Sequence, residues 1–254
     1  MILDALKLTG KNALVTGAQQ GLGAGVAVAL AEAGANVIVH GLEPEKTETI
    51  RAAVCKAGVQ AFSVLGDVAD PKVCERMVES TVERLGSIDI LVNNAGIIRR
   101  APAAEFSLTD WSDVIEINLN SVFRLCQLAG RRMLAQGRGK IINIASLLSF
   151  QGGVFVPAYA AAKGGVAQLT KALANEWAPK GVNVNAIAPG YMATDNTAAL
   201  RADPQRSRQI LERIPAGRWG TPQDIGGTAV FLAAPASDYI NGHVLVVDGG
   251  WMGR

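Results

Sequence analysis

The sequence predicts an α/β protein, one doubly wound parallel sheet of about seven strands with a helical lid before the last strand. Three observations carry that reading. Short β-branched runs alternate with longer Ala/Leu/Glu-rich stretches along the 254 residues. Several of the runs are almost continuously apolar, as strands covered on both faces must be. A glycine cluster separates the first run from the first helical stretch, and no repeat or Pro/Ser-rich linker divides residues 1–254 into smaller domains.

Strands are expected at 12–16 (NALVT), 36–40 (NVIVH), 61–65 (AFSVL), 88–92 (IDILV), 140–145 (KIINIA), 182–188 (VNVNAIA) and 243–247 (HVLVV). Helical patterns fill the gaps, which makes each connection a right-handed crossover between parallel strands. The long interruption is 189–242, which contains TDNTAALRADPQRSRQILERI. Ligands of open α/β sheets bind beyond the carboxyl ends of strands. A segment of about 189–220, starting where the 182–188 strand ends, therefore reads as a substrate lid.

Composition narrows the function classes. Apolar residues make up 49% and charged residues 18%, with a formal charge of +2. Acidic and basic residues are interspersed, so no basic stripe points to nucleic acid. Arg131, Arg132, Arg138 and Lys140 read as a solvated helix end. No uninterrupted apolar run of about 18 residues suggests a membrane span. The opening MILDALKLTGKNALVTGA reaches an acidic residue at once and lacks the layout of a leader. Cys55, Cys74 and Cys126 fit neither a zinc site nor a disulfide framework, so no metal and a reducing, cytoplasmic compartment are expected.

The first turn, TGAQQGLGAG, places Gly17, Gly21 and Gly23 between a strand and a helix. Glycines there allow a tight turn and close backbone approach to a pyrophosphate, with a helix N-terminus supplying amide donors. That is a Rossmann-type dinucleotide site. At the end of the second strand an acidic residue would hold the ribose hydroxyls, and an arginine would accept a 2′-phosphate. The sequence VIVHGLEPEK has Gly41 and Leu42 there instead. Glu43 is the nearest acceptor, Gln19 and Gln20 bring no cation, and Lys46 is the one nearby base. The reading favours NAD(H) and keeps NADP(H) as the alternative.

In PAYAAAKGG, Tyr159 and Lys163 lie four residues apart, on one face of a helix. A cation beside a phenol stabilises the phenolate. Lowering a tyrosine pKa from about 10 to about 7 takes roughly 4 kcal/mol. One charge about 4 Å away at an effective dielectric of about 20 supplies that much. The pair is thus a candidate proton-transfer device.

Taken in order, these motifs resemble the short-chain dehydrogenase/reductase family along the whole chain. TGAQQGLG is similar to its glycine turn, NNAG (93–96) to its fourth-strand motif, IAPGYMAT to its Pro-Gly turn and VDGGW to its C-terminal segment. Asn118, Ser146, Tyr159 and Lys163 match its catalytic tetrad. The resemblance implies that Tyr159 exchanges the alcohol proton and that Lys163 lowers its pKa and bonds the nicotinamide ribose. Ser146 would hold the substrate oxygen, and Asn118, within a helix, would support a proton relay. It also implies cofactor contacts from Gly17, Gln20, Gly21, Leu22, Gly23 and Glu43, and from Asp67 and Val68 in LGDVAD. Further contacts are expected from Asn94, Ala95 and Gly96, from Tyr159 and Lys163, and from Pro189, Gly190, Met192 and Thr194. Asn93 could serve either the sheet or the cofactor.

NNAGIIRR, NIASLLSFQGG, ALANEWAPKGVNVNAIAPGYMATDNT and LRADPQRSRQILERIPAGRWG look closer to one branch, the 2-dehydro-3-deoxy-D-gluconate 5-dehydrogenases, also called 2-deoxy-D-gluconate 3-dehydrogenases. That implies reversible oxidation of a secondary hydroxyl on a deoxy-keto sugar acid. Arg99 or Arg100 would pair with the carboxylate. Gln151 and Asn196 would bind the sugar beside Ser146 and Tyr159. Arg201, Arg206, Arg208 and Arg213 could draw anions towards the lid. Arg218 and Trp219 read as structural or interfacial, and no role is expected for His40 or His243. Competing readings are a gluconate 5-dehydrogenase, a 3-oxoacyl-thioester reductase, and a non-catalytic dinucleotide sensor on the same fold. Family resemblance suggests a homotetramer.

Overall fold

Seven parallel strands lie side by side in a computed structural model that describes residues 1–254. They are β1 (Asn12–Val15), β2 (Asn36–Gly41), β3 (Ala61–Leu65), β4 (Ile90–Asn93), β5 (Gly139–Ile144), β6 (Val182–Pro189) and β7 (Val244–Val247). The spatial order is β3-β2-β1-β4-β5-β6-β7. Each expected strand is present, with ends within about two residues.

Alternation along the strands fixes which helices cover which face. Ala13, Val15, Val37, Val39, Ile90, Val92, Ile142 and Ile187 point to one side. They pack under α1 (Gly21–Glu32), α2 (Pro44–Cys55) and α9 (Pro222–Ala233), through Val26, Leu30, Val54, Ile225 and Leu232. Leu14, Ile38, Leu91, Ile141 and Val184 point the other way. Their cover is α3 (Pro71–Leu85), α5 (Ser121–Gln136) and the 21-residue α6 (Pro157–Trp177), through Met77, Leu125, Met133, Val166 and Trp177. A period of two on a sheet buried on both sides produces the continuous apolar runs seen in the sequence.

β2 and β3 lie to one side of β1, and the chain then crosses β1 to form β4 on the other. The two directions of winding diverge above the carboxyl ends of β1 and β4, the place where an open α/β sheet offers a crevice. Asn93 at the end of β4 is buried and donates to Asn143 Oδ1 at 2.9 Å; Asn143 donates to Thr170 Oγ1 on α6 at 2.9 Å. That polar chain stitches β4, β5 and α6 together, and Asn93 belongs to the sheet.

Between β6 and β7 the expected insertion is helical: α7 (Ala198–Ala202) and α8 (Pro204–Arg213). Asp203 starts α8 by accepting from the Gln205 and Arg206 amides at 3.0 Å each, which satisfies donors that the helix itself leaves open. Ile210 and Ile214 anchor it to Leu147 and Trp251. Arg218 holds Asp224 through two 2.7 Å bonds at the start of α9, the structural task expected of it.

Candidate active site

A cavity of about 550 Å³ runs over the carboxyl ends of β1, β2 and β4. Its floor is the glycine turn. Gly17 has φ +59°, and a side chain there would meet Ala95 Cα at 2.9 Å. Asn94 Nδ2 donates to the Thr16 and Gly17 carbonyls at 2.9 and 3.0 Å, while Thr16 Oγ1 accepts from the Asn94 and Ala95 amides. The turns after β1 and β4 are therefore one clamped unit. A Cβ on Gly23 would collide with the Gly17 carbonyl and the Asn94 amide group. The cradle is thus closed to side chains and open to a ligand, at a helix N-terminus. That fits a dinucleotide pyrophosphate.

Gln20, Gly21, Leu22, Asp67, Val68, Asn94, Ala95, Gly96 and Thr194 line this groove with Gly17. Gly23 packs beneath it. Met192 is buried against Gly220 rather than lining the groove. At the selector position, Glu43 pairs with Lys46 at 2.8 Å, and the Gln19 carbonyl oxygen accepts from the Leu42 and Glu43 amides. One acceptor and one cation therefore stand side by side; neither lines the groove itself, and both reach it only through Gln19 and Gln20, which do.

A second cavity of similar volume opens under α7 and α8. Ser146, Gln151, Pro189, Gly190 and Arg100 line it, together with the α8 residues Arg206, Gln209 and Arg213. Tyr159 and Asn196 belong to both cavities. Tyr159 is thus the wall between a dinucleotide-shaped groove and a pocket beneath α7 and α8. Arg99 faces the groove, not the pocket, and its guanidinium meets Asp110 at 3.3 Å; of the two candidate carboxylate partners, only Arg100 reaches the pocket.

The electrostatics differ from the sequence reading in one respect. Burial pushes the Tyr159 phenol above its ordinary pKa, with Ser146 and the Arg100 charge pulling it back. Lys163 stands one helical turn away. Its ammonium is buried, donates to the Ile144 carbonyl at 2.5 Å and lies 5.6 Å from the Tyr159 ring centroid. Desolvation brings Lys163 itself down to about 8. Helical spacing puts both residues on one face, and one of the lysine's three N–H donors is directed at the sheet.

Asn118 falls in a π-helical turn, Glu116–Asn120, between α4 (Leu108–Ile115) and α5. The side chain is buried; it accepts from the Ile97 amide at 3.1 Å and donates to the Ile97 and Val114 carbonyls at 2.9 Å each. The irregular turn lets one amide pin the loop after β4.

His40, for which no role was expected, is a hinge pin of the groove. It is buried in β2, its Nδ1 accepts from the Gly17 amide at 3.1 Å, and its Nε2 meets the Gly66 carbonyl at 2.8 Å. Those partners fix the neutral Nε2–H tautomer. The sequence signal was a lone imidazole in the apolar run VIVHG, directly opposite the glycine turn. Desolvation holds its pKa below 6.5 despite the nearby Asp67 carboxylate; the Arg76 cation acts in the same direction as burial. Because the folded-state value is the lower one, the ring stabilises the fold above about pH 6.5 and that contribution fades as pH falls through the lowered value. Urea midpoints at about pH 8 and about pH 5 should therefore converge in His40→Gln relative to the unchanged protein. An equal drop in both proteins would show that His40 does not set the acid sensitivity.

The family model described as Enoyl-(Acyl carrier protein) reductase matches residues 17–252. A 2-dehydro-3-deoxy-D-gluconate 5-dehydrogenase from Dickeya dadantii is 55% identical over the full length of both chains. A crystal structure from Agrobacterium tumefaciens, provisionally assigned as a 2-deoxy-D-gluconate 3-dehydrogenase with bound NADP, is 54% identical. It covers 99% of this chain and 100% of its own, with a TM-score of 0.92. A gluconate 5-dehydrogenase from Burkholderia cenocepacia, in complex with NADP and tartrate, is 41% identical over all of both chains with a TM-score of 0.95.

Proposed function

This chain belongs to the short-chain dehydrogenase/reductase family, and on that premise we propose that it interconverts a secondary hydroxyl and a ketone on a deoxy-keto sugar acid, 2-dehydro-3-deoxy-D-gluconate or 2-deoxy-D-gluconate. It is an NAD(P)-dependent oxidoreductase. The observation that carries the substrate reading is the position of Tyr159, shared between the dinucleotide groove and a pocket containing Arg100 and no carboxylate. Relatives at 52–55% identity carry the 5-dehydrogenase name.

When bound, the nicotinamide supplies or accepts the hydride. The chain's own residues manage the proton and the orientation. Ser146 Oγ, which already accepts from the Leu148 amide at 3.2 Å, holds the substrate oxygen beside the phenol. With its pKa raised by burial, Tyr159 rests as the protonated donor that ketone reduction requires. In the oxidative direction the phenolate takes the hydroxyl proton, favoured by Arg100 and Ser146. Asn118 keeps the loop after β4 in register with the groove, and Lys163 offers its ammonium from the groove wall. Gln151 and Asn196 bind sugar hydroxyls, and residues of about 189–220 act as the lid.

A rate matrix of NAD⁺ and NADP⁺ against 2-dehydro-3-deoxy-D-gluconate, 2-deoxy-D-gluconate, gluconate, a neutral polyol and a 3-oxoacyl thioester tests this reading. Turnover concentrated on the deoxy sugar acids supports it, and turnover concentrated on the polyol or thioester overturns it. The matrix also decides between the Glu43 and Lys46 sides of the selector. A cytoplasmic homotetramer completes the proposal. Its support is apolar surface on the α4–α5 face, where Trp111 and Phe123 are 40% and 47% exposed; a monomer in sedimentation would reject that part.

A further inference from the structure

We infer that the lid helix α8, through Arg213 stacked on Trp251 and assisted by Arg206, is the carboxylate-recognition element of the substrate pocket. The inference deepens the sugar-acid reading and rests on it. Four observations converge. The two cavities differ in charge: the groove wall mixes Asp67, Asp113, Glu116 and Asp195 with Arg99 and Lys163, whereas the lid pocket carries Arg100, Arg206 and Arg213 and no acidic residue. A pocket lined by one sign of charge concentrates its field on an ion of the other.

None of the three pocket arginines is in an ion pair. Arg100 donates to the Asn196 carbonyl at 3.4 Å, Arg206 donates to the side-chain Oε1 of Gln209 at 3.2 Å, and Arg213 meets only an aromatic face. Other arginines nearby are neutralised: Arg99 by Asp110, Arg208 by Glu212 and Arg218 by Asp224. Arg201 on α7 also has no ion pair, but it donates to the Thr194 carbonyl at 3.2 Å and does not line the pocket.

Arg213 is also held in place. Its guanidinium sits 4.1 Å from the Trp251 ring centroid. Stacking fixes the plane of a guanidinium while leaving its N–H edge free for a planar carboxylate, a geometry that a lysine cannot copy. Trp251 is itself buried in the small cluster with Leu147, Ile210 and Ile214, and its indole N–H is without a partner. Arg206 and Arg213 are seven positions apart on α8, which returns them to the same side of the helix after about two turns.

The consequence is a lid that responds to the substrate's charge. A carboxylate in the pocket bonds α8 directly, so ordering of the lid over Tyr159 is tied to an acid rather than to a neutral polyol. Discrimination then resides on a different element from the proton chemistry.

The test compares Arg213→Gln, Arg206→Gln and, as a charge control, Arg208→Gln, whose side chain is paired to Glu212 and does not line the pocket. Arg213→Gln should raise the KM for the sugar acid about 10–100-fold with kcat changed only a few-fold. The KM for a neutral polyol and for the dinucleotide should stay within about twofold. Arg213→Lys should recover only part of the loss, and Arg208→Gln should match the unchanged enzyme.

Competitive inhibition by tartrate, measured against whichever substrate turns over, reads the same site without assuming the sugar acid. Its Ki should rise with the KM in Arg213→Gln. A sugar-acid failure in the rate matrix with Arg213-dependent tartrate inhibition would reject the substrate assignment and retain the clamp. The clamp is overturned if acid and polyol KM rise together, if Arg208→Gln behaves like Arg213→Gln, or if tartrate does not compete. Trp251→Phe, which keeps a ring under Arg213, should retain most of the acid affinity, and Trp251→Leu should lose it. Equal effects from the two would overturn the stacking role.

Discussion

Tyr159→Phe should lower turnover by about 10³-fold in both directions while leaving dinucleotide affinity within about threefold, the range a lost general acid–base group produces. The residue stands between the two cavities, so it is the side chain that can touch both the carbon that gives up hydride and the oxygen that gives up its proton. Phenylalanine keeps the ring that separates them and removes only the oxygen. The pH profile gives the discriminating detail. Burial raises the phenol's pKa, so reduction should hold up through the neutral range and decline as pH rises through the raised value, and oxidation should climb over that same interval. Residual Tyr159→Phe activity should lack both limbs. A variant with unchanged turnover would return the protein to the class of dinucleotide sensors.

Gly23→Ala is the second large effect. The added methyl would meet the Gly17 carbon at 2.9 Å, closer still to its oxygen, and also the Asn94 amide that ties the two turns together. Backbone cannot step aside as a flexible side chain would, so the turn must open. Overpacking of this kind costs about 1–3 kcal/mol of stability, and dinucleotide affinity should fall about 100-fold because the amide cradle loses its shape. Gly227→Ala on α9 is the matched control: a Cβ there meets nothing within 4 Å, so it should be neutral or stabilising by up to about 1 kcal/mol. Urea midpoints and a fluorescence titration with NADPH and NADH separate the two outcomes. Equal behaviour of the two variants would show that close packing at Gly23 is not what shapes the cradle.

The seven strands, their parallel arrangement and the glycine turn were legible in the sequence because each rests on local rules. Burial on both faces demands apolar runs, crossovers demand intervening helices, and a tight turn against a ligand demands glycine. Tyr159 and Lys163 were legible as a pair for a similar reason, since helical spacing alone relates them; Asn118 and Ser146 were named only through the family resemblance. Arg218 also kept to local logic, near its partner in sequence.

What tertiary structure decided is which groups meet across long sequence separations. Helical spacing paired Lys163 with Tyr159; only the fold adds the Ile144 carbonyl, delivered by the neighbouring strand, which takes one ammonium N–H, and the burial that raises the phenol. Arg99 and Arg100 are indistinguishable as neighbours in sequence; alternation along the chain sends one to Asp110 and the other to the lid pocket. His40 gained its importance from Gly17 and Gly66, which lie 23 and 26 positions away. Arg213 and Trp251 were a lid residue and a C-terminal residue until β7 brought the chain's end back beneath α8. Local spacing determines backbone geometry because the forces involved act within a turn or a strand. Charge, by contrast, is set by every group within several ångströms, and only the folded chain says which groups those are.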